Sequence, residues 1–104
     1  MLANWYFFLG MANFHLGRDV AATQMMLKSV GQNAKFGFSH QWLAAIYALQ
    51  GRDAEASAEL AEFNRLIPGR TIKNLQASER SDNPTFWSQR QRFYEGLRKA
   101  GLPE

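Results

Sequence analysis

No cysteine occurs in this chain of 104 residues, and that absence removes disulfide frameworks, thiolate zinc sites and cysteine nucleophiles together. Nothing demands an oxidising compartment, so the cytoplasm is the expected setting. Proline is scarce, with three residues in all, and each one stands where a helix would start or stop. Charge is missing from the first 17 residues, whereas residues 70 to 99 hold seven of the twelve basic side chains. The uncharged stretch, MLANWYFFLGMANFHLG, fits neither a signal peptide nor a span. It has no basic start, it carries Asn4, Asn13 and His15, and it falls short of the roughly 20 apolar residues a membrane helix needs.

Catalytic patterns are missing too. His15 and His40 fall on different predicted helices without a second ligand at metal spacing, so neither a metal nor another cofactor is expected. No phosphate-cradling loop is present, and the scattered glycines mark helix ends and close contacts. Glu55, Glu59 and Glu62 share a helical face opposite an apolar stripe and beside Arg65, which reads as a solvated face. No catalytic residue is assigned, and the chain reads as a non-enzyme.

What is present is an ordinary globular balance, 46% apolar and 20% charged, enough for one domain over residues 1 to 104. Within it the tripeptide Gly-Arg-Asp occurs twice, in LGRDVAA at 16 to 22 and in QGRDAEA at 50 to 56, a separation of 34 residues. That period pairs Leu9 with Leu43, Gly17 with Gly51, Asp19 with Asp53 and Ala22 with Ala56. A fixed period of this size marks stacked supersecondary units. Each unit reads as two helices around a corner, with Gly17 or Gly51 in the left-handed conformation and Asp19 or Asp53 capping the next helix.

Six helices are therefore expected, over about residues 3 to 16, 20 to 30, 39 to 50, 54 to 67, 71 to 78 and 84 to 100. Ser39, Thr71 and Asn83 are the candidate caps, and Pro84 takes the first helical position. Ala56, Leu60, Phe63 and Ile67 form the inward face of the fourth helix, and Phe86, Phe93 and Leu97, with Trp87 and Tyr94 beside them, that of the last.

A 34-residue helix-turn-helix with Leu9-Gly10 or Leu43-Ala44 in the first helix, Tyr47 as an aromatic, Ala22 or Ala56 in the second helix and Pro68 at the close resembles the tetratricopeptide repeat. The first unit departs from the pattern at Asn13, where an aromatic is usual, and at Ala34, where proline is usual. The resemblance implies an all-α solenoid: repeat one over about 3 to 34, repeat two over about 37 to 70, and capping helices at 71 to 78 and 84 to 100. From FSHQWLAAIYALQGRDAEASAELAEFNRLIPG to FYEGLRKAGLPE the chain is also similar to the C-terminal end of certain bacterial class III adenylate cyclases. Similar tails follow winged-helix DNA-binding domains. That likeness implies a tail split from a larger signalling protein, without the cyclase chemistry.

Such arrays hold ligands on the concave surface made by the first helix of each unit. The resemblance places Asn4, Phe7, Met11 and Phe14 there in the first unit, and Phe38, Gln41, Ala45 and Ala48 in the second. The expected partner is a protein or peptide. Chaperone tails are disfavoured, because the subfamily that grips them has Lys and Asn where Phe7, Met11, Gln41 and Ala45 stand. Arg90, Arg92, Arg98 and Lys99, interleaved with aromatics on the last helix, raise nucleic acid as a lesser alternative, but a net charge of +3 is weak for phosphate tracking. The first helix is apolar all round, so it should be covered on most sides. A ligand groove, an upstream repeat or a second copy of the chain could each supply the cover.

Overall fold

The computed structural model describes residues 2–78 and 84–104, with side chains at 2–77 and 88–104. Among the described residues there are six helices and no strand: α1 (Leu2–His15), α2 (Asp19–Gln32), α3 (Gly37–Leu49), α4 (Asp53–Leu66), α5 (Ile72–Ser78) and α6 (Pro84–Ala100). Each boundary falls within two residues of its expectation. The capping role expected of Asn83 and the inward positions of Phe86 and Trp87 lie outside the described residues and side chains.

Helices α1 and α2 form one hairpin and α3 and α4 a second, with α2 lying against α3. The repeated tripeptide builds the same corner in both. Gly17 (φ 78°) and Gly51 (φ 76°) take the left-handed conformation. The Gly17 N–H donates to the Phe14 carbonyl and the Arg18 N–H to that of Asn13. In the second hairpin Gly51 donates to Ala48 and Arg52 to Tyr47. This pair of bonds satisfies the carbonyls a helix end leaves free. The next helix starts at once, because Ala22 and Ala56 donate to the Arg18 and Arg52 carbonyls.

The aspartates do not cap these helices as expected. Arg18 and Arg52 hold the cap position without a side-chain cap bond, and Asp19 and Asp53 are the first helical residues. The backbone bonds of the corner already set that geometry, and a carboxylate in the first turn still complements the helix dipole. Ser39 is not a cap either. Helix α3 starts two residues earlier, at buried Gly37, where a Cβ would come within 2.9 Å of Ile67. The Ser39 hydroxyl instead reaches Ser29 Oγ at 2.6 Å, and Ser29 donates to the Ala3 carbonyl at 2.8 Å. A hydroxyl has one proton, so Ser39 is the donor in the shared bond. These bonds tie α1, α2 and α3 together in the interior. Thr71 does cap α5, exchanging bonds with Asn74.

Helix α3, not α1, is the helix covered on all sides. Residues 39 to 48 are buried without interruption. The cover comes from α6, which packs mainly along α3 and touches α4 only at an edge. The last helix therefore lies across the hairpins. The radius of gyration, 12.6 Å, is close to the roughly 13 Å of a closed globule of this length. Phe93, Tyr94 and Leu97 are buried in this contact. Gly96 permits it, since a Cβ there would stand 2.6 Å from the Ala45 carbonyl oxygen and 2.9 Å from the Ala45 Cβ.

Replacing Gly96 by Ala should lower the thermal midpoint even though alanine favours helix by about 1 kcal/mol. The added methyl meets backbone, which cannot give way, and overpacking of that kind costs about 1 to 3 kcal/mol. Gly31, also helical, has open space around its missing side chain, so Gly31→Ala should raise the midpoint slightly. Thermal unfolding of the two variants checks the pair, and a Gly96→Ala chain as stable as the parent would refute the close approach.

Candidate binding groove

Trp42 is the centre from which the site is built. Its ring stacks on Phe93 at a centroid distance of 4.0 Å and meets Phe7, Phe14 and His15 edge-on at 6.1, 5.5 and 5.6 Å. Edge-on and offset arrangements of this kind place ring edges against ring faces. The Arg90 guanidinium lies over the same indole at 5.2 Å. The sequence does not single out Trp42, because the WLAAIYAL part of α3 is so uniformly apolar that no face stands out.

Beside this stack a groove of about 280 Å³ opens, lined by Phe7, Phe8 and Met11 of α1, Phe38, Gln41 and Trp42 of α3, Arg70, Leu75 of α5, and Arg90 and Phe93 of α6. Four of the eight expected concave-face residues meet there: Phe7, Met11, Phe38 and Gln41. The other four do not. Asn4 is exposed on α1. Phe14 is buried against Trp42, with the Arg92 guanidinium 4.6 Å from its ring. Ala45 is covered by Gly96, and Ala48 is buried as well. The hollow expected along all of α3 is reduced to its first turns because α6 fills the remainder.

Gln41 is the unusual member of the lining. It is 2% exposed, yet its Nε2 has no hydrogen-bond partner among the described residues. Arg70 is half-buried at the groove and engages no carboxylate among the described residues. By contrast, Arg52 pairs with Glu55, Arg65 with Glu62, Arg92 with Asp19 and Arg98 with Glu104. The basic cluster expected on the last helix is thus partly neutralised within the fold. Arg92 also donates to the Phe14 carbonyl, fixing α6 to the first corner.

The acidic face of α4 needs one correction. Glu59 does not stand free in solvent, because its Oε2 lies 2.7 Å from His40 Nδ1, while His40 Nε2 is 2.9 Å from the Ala34 carbonyl. Both ring nitrogens face acceptors, an arrangement that favours the doubly protonated ring. The hydrogen bond to Glu59 raises the His40 pKa above its ordinary value against the opposing effect of burial. His15 is shifted the other way, chiefly by burial and then by the Arg90 charge. Among the described residues no three His, Asp or Glu side chains gather as metal ligands, and no helix is long and apolar enough to cross a membrane.

The raised His40 pKa fixes a pH dependence. Its contribution to stability is complete below the unfolded value near 6.5 and is lost as pH rises through the higher folded value. His15 acts in the opposite sense, because the unfolded chain takes up a proton there that the folded chain resists. The difference between the parent and Glu59→Gln cancels His15. Chemical denaturation from about pH 5.5 to 8.5 should show Glu59→Gln about 1 to 2 kcal/mol less stable at the acidic end, with the gap closing toward the alkaline end. A gap independent of pH would show that the contact with Glu59 does not shift the His40 titration.

No family model matches the chain, nor does any curated protein or solved structure, so the case for the groove rests on its own geometry.

Proposed function

We propose that the chain is a non-catalytic interaction module, a two-unit tetratricopeptide-like array closed by α5 and α6, that holds a segment of another protein in the groove beside Trp42. The observation that carries this reading is the convergence of Phe7, Met11, Phe38 and Gln41, four of the eight positions that the tetratricopeptide resemblance puts on the concave face, on one partly open aromatic groove. Such a groove is suited to a peptide segment, since apolar walls supply affinity and a few polar groups fix orientation. The likeness of the closing FYEGLRKAGLPE to cyclase tails supports a place at the C-terminal end of a larger bacterial signalling protein.

Peptides selected against the folded chain from a random 15-residue library should bind in this groove. Met11 is only partly buried and packs at the edge of the core, so Met11→Asp should lower the thermal midpoint only modestly and leave the chain folded. It should weaken the selected peptides at least about tenfold, since a carboxylate would stand in the apolar lining. Selected peptides that bind Met11→Asp as well as the parent would place the interaction elsewhere.

A second reading is supported by a different face. Leu2, Trp5 and Phe8 recur every three residues along α1, Leu16 follows directly after its end, and Trp5, Phe8 and Leu16 are 60%, 62% and 65% exposed. A stripe of this kind suits self-association. Phe7 is not part of it, since only 8% of that residue is exposed and its ring packs on Phe36 and Trp42. Sedimentation at ~100 μM should show the parent as a dimer or larger and a Trp5→Asp, Leu16→Asp variant as a folded monomer. A monomeric parent would eliminate self-association through α1.

A further inference from the structure

The groove is chemically incomplete, and what it lacks describes its occupant. Gln41 Nε2 is a buried donor without an acceptor among the described residues, and such a group destabilises the free chain unless something outside supplies an oxygen. Among the described residues, the charged members of the lining are Arg70 and Arg90, both cationic. The walls at Phe7, Trp42, Leu75 and Phe93 are apolar. At about 280 Å³ the space is near the lower limit of ligand pockets, room for one bulky side chain and the backbone around it.

We infer that the groove reads an extended peptide in which a bulky apolar residue is followed by an acidic one, an inference that rests on the interaction-module reading. The apolar side chain enters between Phe7, Trp42 and Phe93, a backbone carbonyl accepts from Gln41 Nε2, and the carboxylate pairs with Arg70. An extended segment is required because its carbonyls are free. A helical segment has already bonded its own along most of its length and would leave Gln41 without an acceptor. An acidic segment is required because a neutral or basic one would leave Arg70, which engages no carboxylate among the described residues, unpaired in the groove. Arg70 would then form a charge-assisted bond, stronger than a neutral one.

The test uses the full ¹⁵N-labelled chain and four capped hexapeptides: one with Phe followed by Asp, its Asn and Lys counterparts, and one with Ala in place of Phe. The Phe-Asp peptide should shift the Gln41 side-chain amide and the backbone amides of Met11 and Phe38. The Asn peptide should bind about tenfold more weakly, and the Lys and Ala peptides more weakly still. Arg70→Gln should abolish the preference for Asp over Asn. Gln41→Met, which keeps the shape and removes the orphan donor, should raise the thermal midpoint of the free chain while weakening the Phe-Asp peptide about tenfold or more. Equal binding of the Asp, Asn and Lys peptides at these resonances would overturn the inference and leave the interaction module standing. No groove shift with any peptide at millimolar concentration would overturn both. A Gln41→Met chain with a lowered midpoint would also overturn the inference, since Gln41 would then serve the fold and not a ligand.

Discussion

The approach of α6 to α3 is the constraint on which the rest of the structure depends. Gly96 brings the two backbones together over Ala45, and that closeness lets Phe93 stack on Trp42 at 4.0 Å. Burying side chains of this size contributes about 1.5 to 3 kcal/mol each, so the contact is a main source of stability for a small domain. It also decides the shape of the site. Without α6, the inward face of α3 would lie open along its length. With α6 in place, Ala45 and Ala48 become core, and a groove remains only where Gln41 and Phe38 face Phe7 and Met11.

The hairpins that α6 spans are made locally. Each Gly-Arg-Asp corner closes through backbone bonds that any sequence with a left-handed glycine can form, and for this reason the same geometry is written twice. The corners nevertheless end differently. At the first, Arg92 of α6 pairs with Asp19 and bonds the Phe14 carbonyl. At the second, Asp53 stays exposed and Arg52 turns to Glu55 within α4. The first corner is coupled to the groove, through Phe14 and its edge-on contact with Trp42.

Polar groups of the interior follow the same division. The Ser39–Ser29–Ala3 chain and the His40 link to Glu59 and Ala34 are satisfied, and they bind neighbouring helices and the loop between α2 and α3. Gln41, adjacent in sequence to His40, is left with an unused donor. Completed networks specify a fold. A buried donor left over at the edge of a groove costs stability, and that cost is recovered if a ligand supplies the acceptor.

The sequence by itself determined the elements. Six helices, their boundaries to within two residues, the left-handed glycines at 17 and 51 and the inward face of Ala56, Leu60 and Phe63 all follow from interactions among residues close along the chain. Periodicity, helix-ending glycine and chain-stopping proline are local signals, and they suffice for local structure. Tertiary structure decided where α6 lies, which aromatics meet, and which polar side chains find partners. Gly96 looked like any helical glycine until Ala45 stood opposite it, Glu59 looked solvated until His40 came within 2.7 Å, and Trp42 was one apolar residue among many. Each of these depends on residues far apart in sequence. A periodic pattern can say that a helix has an inward face, but not which distant helix will cover it.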